Sequence, residues 1–323
     1  MKLAQLGPLL DPEMRESTMA VAEMIAEMPA LSDATLADYR DAMAQWARPA
    51  TDTIPVARHL IMGSDGRDLV VYVVNARAGT TRPAVLHMHG GGFVSGAASF
   101  EVANLQDLAA ALDCVCVTVD YRLAPETDWR GSVADNYAGL RWLYENAAEL
   151  GADPTRIAVM GESAGGGHAA LLAIEARNRA EIRLVLQLLV YPMLDDRTGS
   201  SRRLKAGIGT LMWSPESNCY GWRAFLGVEP GGSEAPKAAI PARIKDLSGL
   251  APAFIGVGAL DLFAEEDAEY AQRLNRAGVA AELHVVAGGV HGFDVISPEA
   301  STVKQFIALK LNALRRAFGI PPD

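Results

Sequence analysis

Apolar blocks of two kinds alternate along most of this chain. From residue 84 onward, short and nearly continuous apolar runs typical of buried strands are separated by longer segments with helical periodicity. The predicted strands cover 84–89, 114–120, 156–161, 184–191, 251–258 and 281–286. The predicted helices cover 100–112, 130–148, 164–180, 262–277 and 298–318. This order indicates an α/β fold with a mostly parallel central sheet and helices on both faces.

The chain before this alternation has a different pattern. Apolar residues recur at helical spacing over 11–28, and a second helix is predicted to start at an N-cap Ser32 or Asp33 and to end at Arg48. Strands at 56–62 and 68–75 then flank a Gly-Ser-Asp-Gly turn, which predicts a β-hairpin. The two N-terminal helices either pack against the main core or form an adaptable cover over a binding site, and core packing is the preferred interpretation.

One later segment also interrupts the alternation. Residues 195–250 show no strand pattern and contain several large apolar side chains, which favours an inserted helical excursion. These side chains either build a local core or line an apolar pocket. They are Met212, Trp213, Tyr220, Trp222 and Phe225.

Composition and charge exclude several classes of protein. Half of the 323 residues are hydrophobic and 21% are charged, which excludes a disordered chain and a coiled coil. The net charge is −10, with no dense basic cluster, so nucleic acid is not an expected partner. No apolar stretch reaches the roughly 18 residues of a membrane span, and residues 1–10 lack a clear cleavage site. We therefore expect a soluble cytoplasmic protein with no membrane association.

The three cysteines do not indicate a metal site. Cys114 and Cys116 lie in a predicted strand, where alternate side chains share one face, and Cys219 is distant in sequence. A metal site would need further Cys or His nearby, so small buried hydrophobic side chains are the preferred interpretation. No metal and no cofactor are expected.

The strongest local motif is Gly-Glu-Ser-Ala-Gly at 161–165, placed between a predicted strand and a predicted helix. A serine on such a turn occupies a strained backbone conformation, and its flanking residues must be small. Gly161 and Gly165 meet that requirement. The following helix directs its first N–H groups and its positive dipole end toward a developing oxyanion. Ser163 is therefore the candidate nucleophile.

A second motif, His-Gly-Gly-Gly-Phe at 89–93, directly follows the predicted strand 84–89. Three consecutive glycines stabilise neither helix nor strand, but they free backbone N–H groups to bind an oxyanion. A phosphate-binding loop is not supported, because no Lys-Ser or Lys-Thr follows. The position of His89 inside the motif indicates that it fixes the loop by hydrogen bonding.

A serine nucleophile needs a base and an acid, and both follow predicted strands downstream. Asp261 follows strand 251–258 and His291 follows strand 281–286, at the sheet edge where open α/β sheets bind ligands. The order Ser163, Asp261, His291 is the order of the α/β-hydrolase fold. Among the other candidates, Glu265, Glu266 and Asp267 are predicted to form a solvated helix face. The remaining histidines are predicted to be structural; they are His59, His87, His168 and His284.

These motifs together resemble the hormone-sensitive-lipase family of α/β-hydrolases, a group of carboxylesterases with His-Gly-Gly-Gly upstream of Gly-Asp-Ser-Ala-Gly-Gly. Further matches are Asp-Tyr-Arg-Leu-Ala-Pro-Glu at 120–126, Tyr-Pro-Met-Leu-Asp-Asp at 191–196 and His-Gly-Phe at 291–293, so the likeness covers about 55–318. The resemblance implies a catalytic domain over 51–323, with a helical cap formed by 1–50 and an insertion at about 196–228. Related esterases often dimerise through a sheet edge, so a homodimer is an expectation.

The resemblance also implies the role of each site residue. Ser163 is the nucleophile, His291 the general base and then acid, and Asp261 the group that orients the imidazole. The backbone N–H groups of Gly91, Gly92 and Ala164 form the oxyanion hole, and the motif residues His89, Gly90 and Glu162 support it.

The chain departs from the family pattern at two places. Glu162 stands where aspartate is commoner, and the turn is expected to absorb this change. The family often has Asp-Pro-Leu-x-Asp after the acid, whereas this chain has Asp-Leu-Phe-Ala-Glu at 261–265, which leaves Glu265 in reserve as the acid. Arg122 and Glu126 are interpreted as a structural charged network beneath the site.

The expected activity is hydrolysis of short- to medium-chain acyl esters, with a small-molecule ester as substrate and an acyl-enzyme intermediate. Two alternatives remain open. Amides, lactones or carbonates could be cleaved at the same site, since the acylation chemistry is shared. The other alternative is a non-catalytic relative that binds a small ligand, but such receptors generally lose the catalytic histidine, and His291 is present.

Overall fold

An eight-stranded sheet forms the centre of the molecule, with strand order β1-β2-β4-β3-β5-β6-β7-β8. This computed structural model describes residues 7–202, 204 and 209–321. Strands β3 to β8 pair in parallel, whereas β2 pairs antiparallel with both β1 and β4. Their bounds are Val56–Met62, Asp68–Val74, Arg82–Met88, Val115–Val119, Ala152–Glu162, Leu184–Val190, Ala253–Gly258 and Ala281–Val286. The predicted mainly parallel sheet and its N-terminal hairpin are confirmed.

Helices cover both faces of this sheet, because the inner strands carry apolar side chains on both faces and these must be shielded from water. The described α-helices α1 to α10 are Arg15–Ala26, Leu36–Ala44, Val102–Leu112, Trp129–Glu145, Ala147–Leu150, Ala164–Arg179, Pro215–Leu226, Ala264–Arg276, Phe293–Ile296 and Ser301–Phe318. Short 3₁₀ turns at Gly7–Leu9, Ala98–Glu101, Lys237–Ala239 and Pro241–Arg243 complete the described helical elements. No helix among the described residues is both long and apolar enough to cross a bilayer.

The second N-terminal helix begins later than predicted. Neither Ser32 nor Asp33 is its N-cap; α2 starts at Leu36, after Thr35. The backbone N–H of Ser32 donates to the Thr35 hydroxyl at 2.9 Å, and the Thr35 N–H donates to the Ser32 carbonyl at 3.1 Å. The hydrogen-bonding groups of Ser32 and Thr35 therefore pair with each other in a turn, as Ser and Thr often do near the start of a helix.

An apolar cluster joins the N-terminal segment, the glycine-rich loop and the inserted segment. Leu36 from α2 and Phe93 from the loop pack in one buried cluster with Trp213 and with Phe225 from α7. The Tyr220 hydroxyl also donates to the Asp33 carboxylate at 2.9 Å. The two segments predicted to form a cap are thus in contact, although part of the insertion, 203 and 205–208, and residues 1–6 lie outside the described residues.

The predicted solvated face of the helix after Asp261 is wrong in part. Glu265 is exposed, but Glu266 and Asp267 are 2% and 0% exposed. The Glu266 carboxylate accepts hydrogen bonds from the backbone N–H groups of Leu194 and Asp195, at 2.7 and 3.0 Å. It therefore provides the acceptor for two backbone donors in the segment that follows β6. Burial, with the nearby charge of Asp195, raises the pKa of Glu266 well above its usual range, and burial does the same for Asp267.

Candidate active site

Ser163 lies on a strained turn between β5 and α6. Its φ and ψ angles are 56° and −122°, a conformation that non-glycine residues rarely adopt. A Cβ on Gly161 would lie 2.3 Å from the Gly165 carbonyl oxygen, and one on Gly165 would lie 2.0 Å from the Met88 carbonyl oxygen. Both flanking positions therefore require glycine, as the motif predicts, and the turn directs the serine side chain off the sheet edge.

The structure brings the three predicted chemical groups together in one hydrogen-bonded row. The His291 Nε2 atom lies 2.9 Å from Ser163 Oγ, and His291 Nδ1 lies 2.8 Å from Asp261 Oδ2. Residues of the two loops that carry Asp261 and His291 also bond to each other, since the Leu260 N–H donates to the Gly289 carbonyl at 2.9 Å. The row combines a hydroxyl, an imidazole and a buried carboxylate in the geometry of an activated nucleophile.

Asp261 is the carboxylate that reaches the imidazole. Its second oxygen, Oδ1, accepts the backbone N–H of Phe263 at 2.9 Å, which fixes the carboxylate plane. The rings of Tyr191 and Phe263 pack edge-on against the His291 ring, with centroid distances of 4.7 and 5.2 Å. The reserve candidate Glu265 points to solvent from the first turn of α8.

The glycine-rich loop presents free amides beside the nucleophile. Gly91 and Gly92 have φ values of 117° and 61°, which glycine adopts without strain. Across the described part of the chain, the N–H groups of Gly91, Gly92 and Ala164 donate no hydrogen bond to another residue. Gly90 approaches the elbow itself, because a Cβ there would lie 3.6 Å from Ser163 Cβ. These amides are the donors that the sequence predicts for an oxyanion.

His89 fixes the loop, as its position in the motif predicts. Its Nδ1 atom lies 2.8 Å from the Gly90 carbonyl oxygen, and its ring stacks on Tyr121 at a centroid distance of 4.2 Å. The Tyr121 hydroxyl donates to the His89 carbonyl at 2.6 Å. Burial lowers the pKa of His89 to about 4, so this ring is neutral at neutral pH and is a support for the loop.

Two contacts at the loop were not found by sequence reasoning. The Trp213 ring packs directly on Gly92, where a Cβ would lie 2.2 Å from Trp213 Cη2. Arg40 of α2 donates from Nε to the Val94 carbonyl at 2.7 Å and from Nη2 to the Ala124 carbonyl at 3.1 Å. Neither contact has a sequence signal, because each joins segments far apart along the chain.

The predicted charged network of Arg122 and Glu126 is two separate networks. Arg122 binds Asp135 and Asp65, each at 2.7–2.8 Å, whereas Glu126 binds Arg40 of the N-terminal segment at 2.6 Å. Glu126 is 61% exposed, so its ion pair is screened by water. Its role is to tie α2 to the chain after β4.

The other histidines lie outside the hydrogen-bonded row. His168 is buried among Phe93, Tyr121 and Phe225, and burial lowers its pKa to about 3. His59 and His284 lie on the outer strands β1 and β8, as predicted.

The aromatic side chains of the inserted segment lie in a local core, which is the first of the two alternatives raised by the sequence. Tyr220, Trp222 and Phe225 are buried in a local core, and Phe225 stacks on Phe93 at 4.0 Å. Trp213 belongs to the same core and also contacts the oxyanion loop through Gly92. The local core was therefore the correct interpretation for the α7 residues and for Trp213, which also lies beside the site.

Comparison with known proteins gives the same class of protein. A family model described as alpha/beta hydrolase fold matches residues 85–295, so the chain belongs to the α/β-hydrolases. Carboxylesterase NlhH from Mycobacterium tuberculosis is 36% identical over 240 residues, which cover 73% of this chain and 74% of that protein. The esterase LipW from Mycobacterium marinum superposes with a TM-score of 0.85 at 34% identity, covering 97% of each chain. A bacterial heroin esterase superposes with the same TM-score at 33% identity, covering 96% of this chain and 98% of that one.

These relatives and the motifs place the chain more narrowly within the fold. It is a serine carboxylesterase related to the hormone-sensitive-lipase group. The predicted family and the predicted class of enzyme are both confirmed.

Proposed function

We propose that this enzyme hydrolyses short- to medium-chain acyl esters through Ser163, His291 and Asp261. The observation that carries the proposal is the continuous hydrogen-bonded row from Ser163 Oγ through the His291 ring to Asp261 Oδ2. No other described histidine lies between a serine and a carboxylate in this way. The chain order of the three residues, which matches the α/β-hydrolase order, supports the same roles.

In the first half of the reaction, Ser163 Oγ attacks the ester carbonyl carbon while His291 Nε2 accepts the hydroxyl proton. The carbonyl oxygen becomes negative and is stabilised by the free N–H groups of Gly91, Gly92 and Ala164. The C–O bond to the alcohol then breaks, and the leaving oxygen takes the proton from His291. In the second half, water repeats these steps on the acyl-enzyme and releases the acid. Asp261 holds the imidazole orientation and stabilises its charged form throughout.

The segments 1–50 and 196–228 are proposed to cover the acyl and alcohol sites. Their contact through Tyr220 and Asp33, and the packing of Trp213 on Gly92, support this role. Ser163 is 7% exposed, so neighbouring residues cover most of its surface. Such cover favours small acyl groups over extended lipid tails.

The acyl preference is tested with p-nitrophenyl acetate, butyrate, octanoate and palmitate. We expect kcat/KM to be highest for acyl chains of about two to eight carbons and at least about tenfold lower for palmitate, since longer tails need more buried apolar surface. The matching p-nitroanilides and simple lactones are assayed beside them. Equal or faster turnover of an amide or a lactone would contradict the proposed ester preference, and no turnover of any activated ester would favour a ligand-binding relative.

The pH dependence follows from the role of His291. A protonated imidazole cannot accept the serine proton, so kcat/KM for p-nitrophenyl butyrate, measured from about pH 8 down to about pH 5, is expected to fall as the pH is lowered. The profile is measured in buffers of constant ionic strength, with enzyme stability checked at each pH. A flat profile over this range would contradict the assignment of His291 as the base.

A further inference from the structure

A row of polar side chains, centred on the buried His87, crosses three strands beside the nucleophile. On β3, His87 Nε2 lies 2.7 Å from the Oε2 atom of Glu162, and His87 Nδ1 lies 3.0 Å from the Thr118 hydroxyl on β4. His87 is 1% exposed, and Glu162 is the residue immediately before Ser163 at the end of β5. The row therefore anchors the strand end that carries the nucleophile.

Glu162 also contacts the oxyanion loop through its backbone. A Cβ on Gly90 would lie 3.1 Å from the Glu162 carbonyl oxygen and 3.6 Å from Ser163 Cβ. A displacement of Glu162 would therefore move the serine and change the packing of the glycine-rich loop together. Misplacement of reacting groups by about 1 Å can lower a rate by about a hundredfold.

Charged groups from other elements face the same buried histidine. A ring nitrogen of His87 and one carboxylate oxygen each of Glu101 and Glu162 lie within 4.8 Å of one another. The positive charge of Lys310 on α10 is near enough to oppose the protonation of His87. Asp294 of α9 acts on Glu101 in turn. The carboxylates of Glu101 and Glu162 and the Lys310 ammonium thus act on one imidazole, and a proton on the imidazole reduces the excess of negative charge.

The network also reaches the loop that carries the base. Asp294 lies three positions after His291, accepts the Tyr191 hydroxyl at 2.8 Å and pairs with Lys310 at 3.1 Å. The Tyr191 ring packs on His291 at 4.7 Å. Ser163 directly follows Glu162, and the His291 ring packs on Tyr191. Both partners of the Ser163–His291 hydrogen bond therefore lie next to a residue of this network.

The charges favour a protonated His87. Burial disfavours the imidazolium, but the adjacent carboxylates of Glu162 and Glu101 outweigh burial and raise the pKa of His87 above its usual value. Burial, together with the negative charges of Glu162 and Asp294, raises the pKa of Glu101. These charges therefore favour an ion pair between His87 and Glu162, and the contact becomes weaker as the pH rises.

We propose that His87 is a positioning residue of this esterase. As an imidazolium it holds Glu162, and it thereby keeps Ser163 and the Gly90–Gly92 loop in the relative positions that the reaction requires. The inference rests on the proposed role of Ser163 and extends it to a residue that touches neither substrate nor reacting atoms. It also gives a reason for glutamate at 162, where aspartate is one methylene shorter and its carboxylate would fall short of His87 Nε2.

The test compares His87→Gln, Glu162→Gln, Glu162→Asp and the double variant His87→Gln/Glu162→Gln with the parent enzyme. The matched control is His284→Gln, which changes a histidine on β8 that lies 3.5 Å from Glu282 and away from the triad. We expect each single variant at 87 or 162 to lower kcat for p-nitrophenyl butyrate about 10- to 100-fold with KM changed less than about threefold. The double variant is expected to lose little more than either single variant, because the pair acts as one unit.

The pH dependence separates positioning from a purely structural role. In the parent, kcat is expected to fall on the alkaline side as His87 loses its proton, and His87→Gln is expected to lack this limb. The parent is also expected to be more stable than His87→Gln at low pH, because the raised pKa of His87 stabilises the folded state there. This contribution is lost as the pH rises above about 6.5 and through the pKa of His87 in the folded protein. Melting temperatures measured across pH 6–10 record it.

Each outcome bears on one proposal. If Ser163→Ala is inactive but His87→Gln keeps parental kcat and the parental alkaline limb, even with a lower melting temperature, positioning by His87 is overturned. Independent, additive losses in the double variant would also overturn it. If Ser163→Ala remains as active as the parent, the proposed function fails, whatever the His87 variants do.

Discussion

Replacing Ser163 with alanine is expected to lower kcat for p-nitrophenyl butyrate by at least about 10⁴-fold while leaving KM and the melting temperature close to parental values. The hydroxyl is the atom that bonds to the acyl carbon in the proposed mechanism, and His291 has no other described hydroxyl within hydrogen-bond distance of its Nε2. Alanine removes one oxygen and no apolar contact, so the fold loses only the hydrogen bond between the Ser163 hydroxyl and His291.

The acyl-enzyme gives this variant a second readout. The parent is expected to show a burst of p-nitrophenol when deacylation is the slower half, and mass spectrometry of acid-quenched enzyme should place the butyryl group on the peptide that contains Ser163. Ser233→Ala, at an exposed serine, is the matched control and should behave as the parent. A burst or an adduct retained in Ser163→Ala would refute the nucleophile assignment.

Replacing Asp261 with asparagine is expected to lower kcat by about 10³- to 10⁴-fold. The Asp261 carboxylate accepts hydrogen bonds from His291 Nδ1 and from the N–H of Phe263, so in the proposed mechanism it favours the tautomer in which Nε2 can accept the serine proton. An asparagine amide group facing Nδ1 would favour the opposite tautomer and would not stabilise the imidazolium. Labelled-histidine NMR can record the change of tautomer directly.

Glu265→Gln is the matched control for this substitution, since Glu265 is the other acid that the motif offers. Its side chain is exposed on the first turn of α8, so the variant is expected to keep parental kcat and KM. If Glu265→Gln loses activity and Asp261→Asn does not, the roles of the two acids are reversed.

The sequence was most informative where one local requirement dominates. The strands at 84–89 and 251–258 were predicted to within two residues, because a buried parallel strand needs an apolar run and nothing else. Ser163 was found because a strained turn with close backbone contacts accepts only glycine at 161 and 165. Local sterics leave a signature that can be read from a few neighbouring residues.

Long-range pairing is what the sequence could not show. Glu266 resembles any acidic residue on an amphipathic helix, but it is buried because the chain leaving β6 offers the unpaired N–H groups of Leu194 and Asp195. Glu126 was grouped with Arg122 from their proximity in sequence, yet its partner is Arg40, which lies 86 positions away. The acids at 261 and 265 were separable only by which one faces the imidazole.

The sequence by itself determined the succession of strands and helices along the chain, although not the order of the strands in the sheet. It also determined the nucleophile turn, the glycine-rich loop and the chain order of the three reactive groups, because each depends on residues adjacent along the chain. The tertiary structure decided which carboxylate meets His291, that Trp213 lies on Gly92, and that the buried His87 pairs with Glu162 beside Ser163. The physical reason is that buried polar groups must find partners, and strand order, which the local pattern does not specify, decides which partners are within reach.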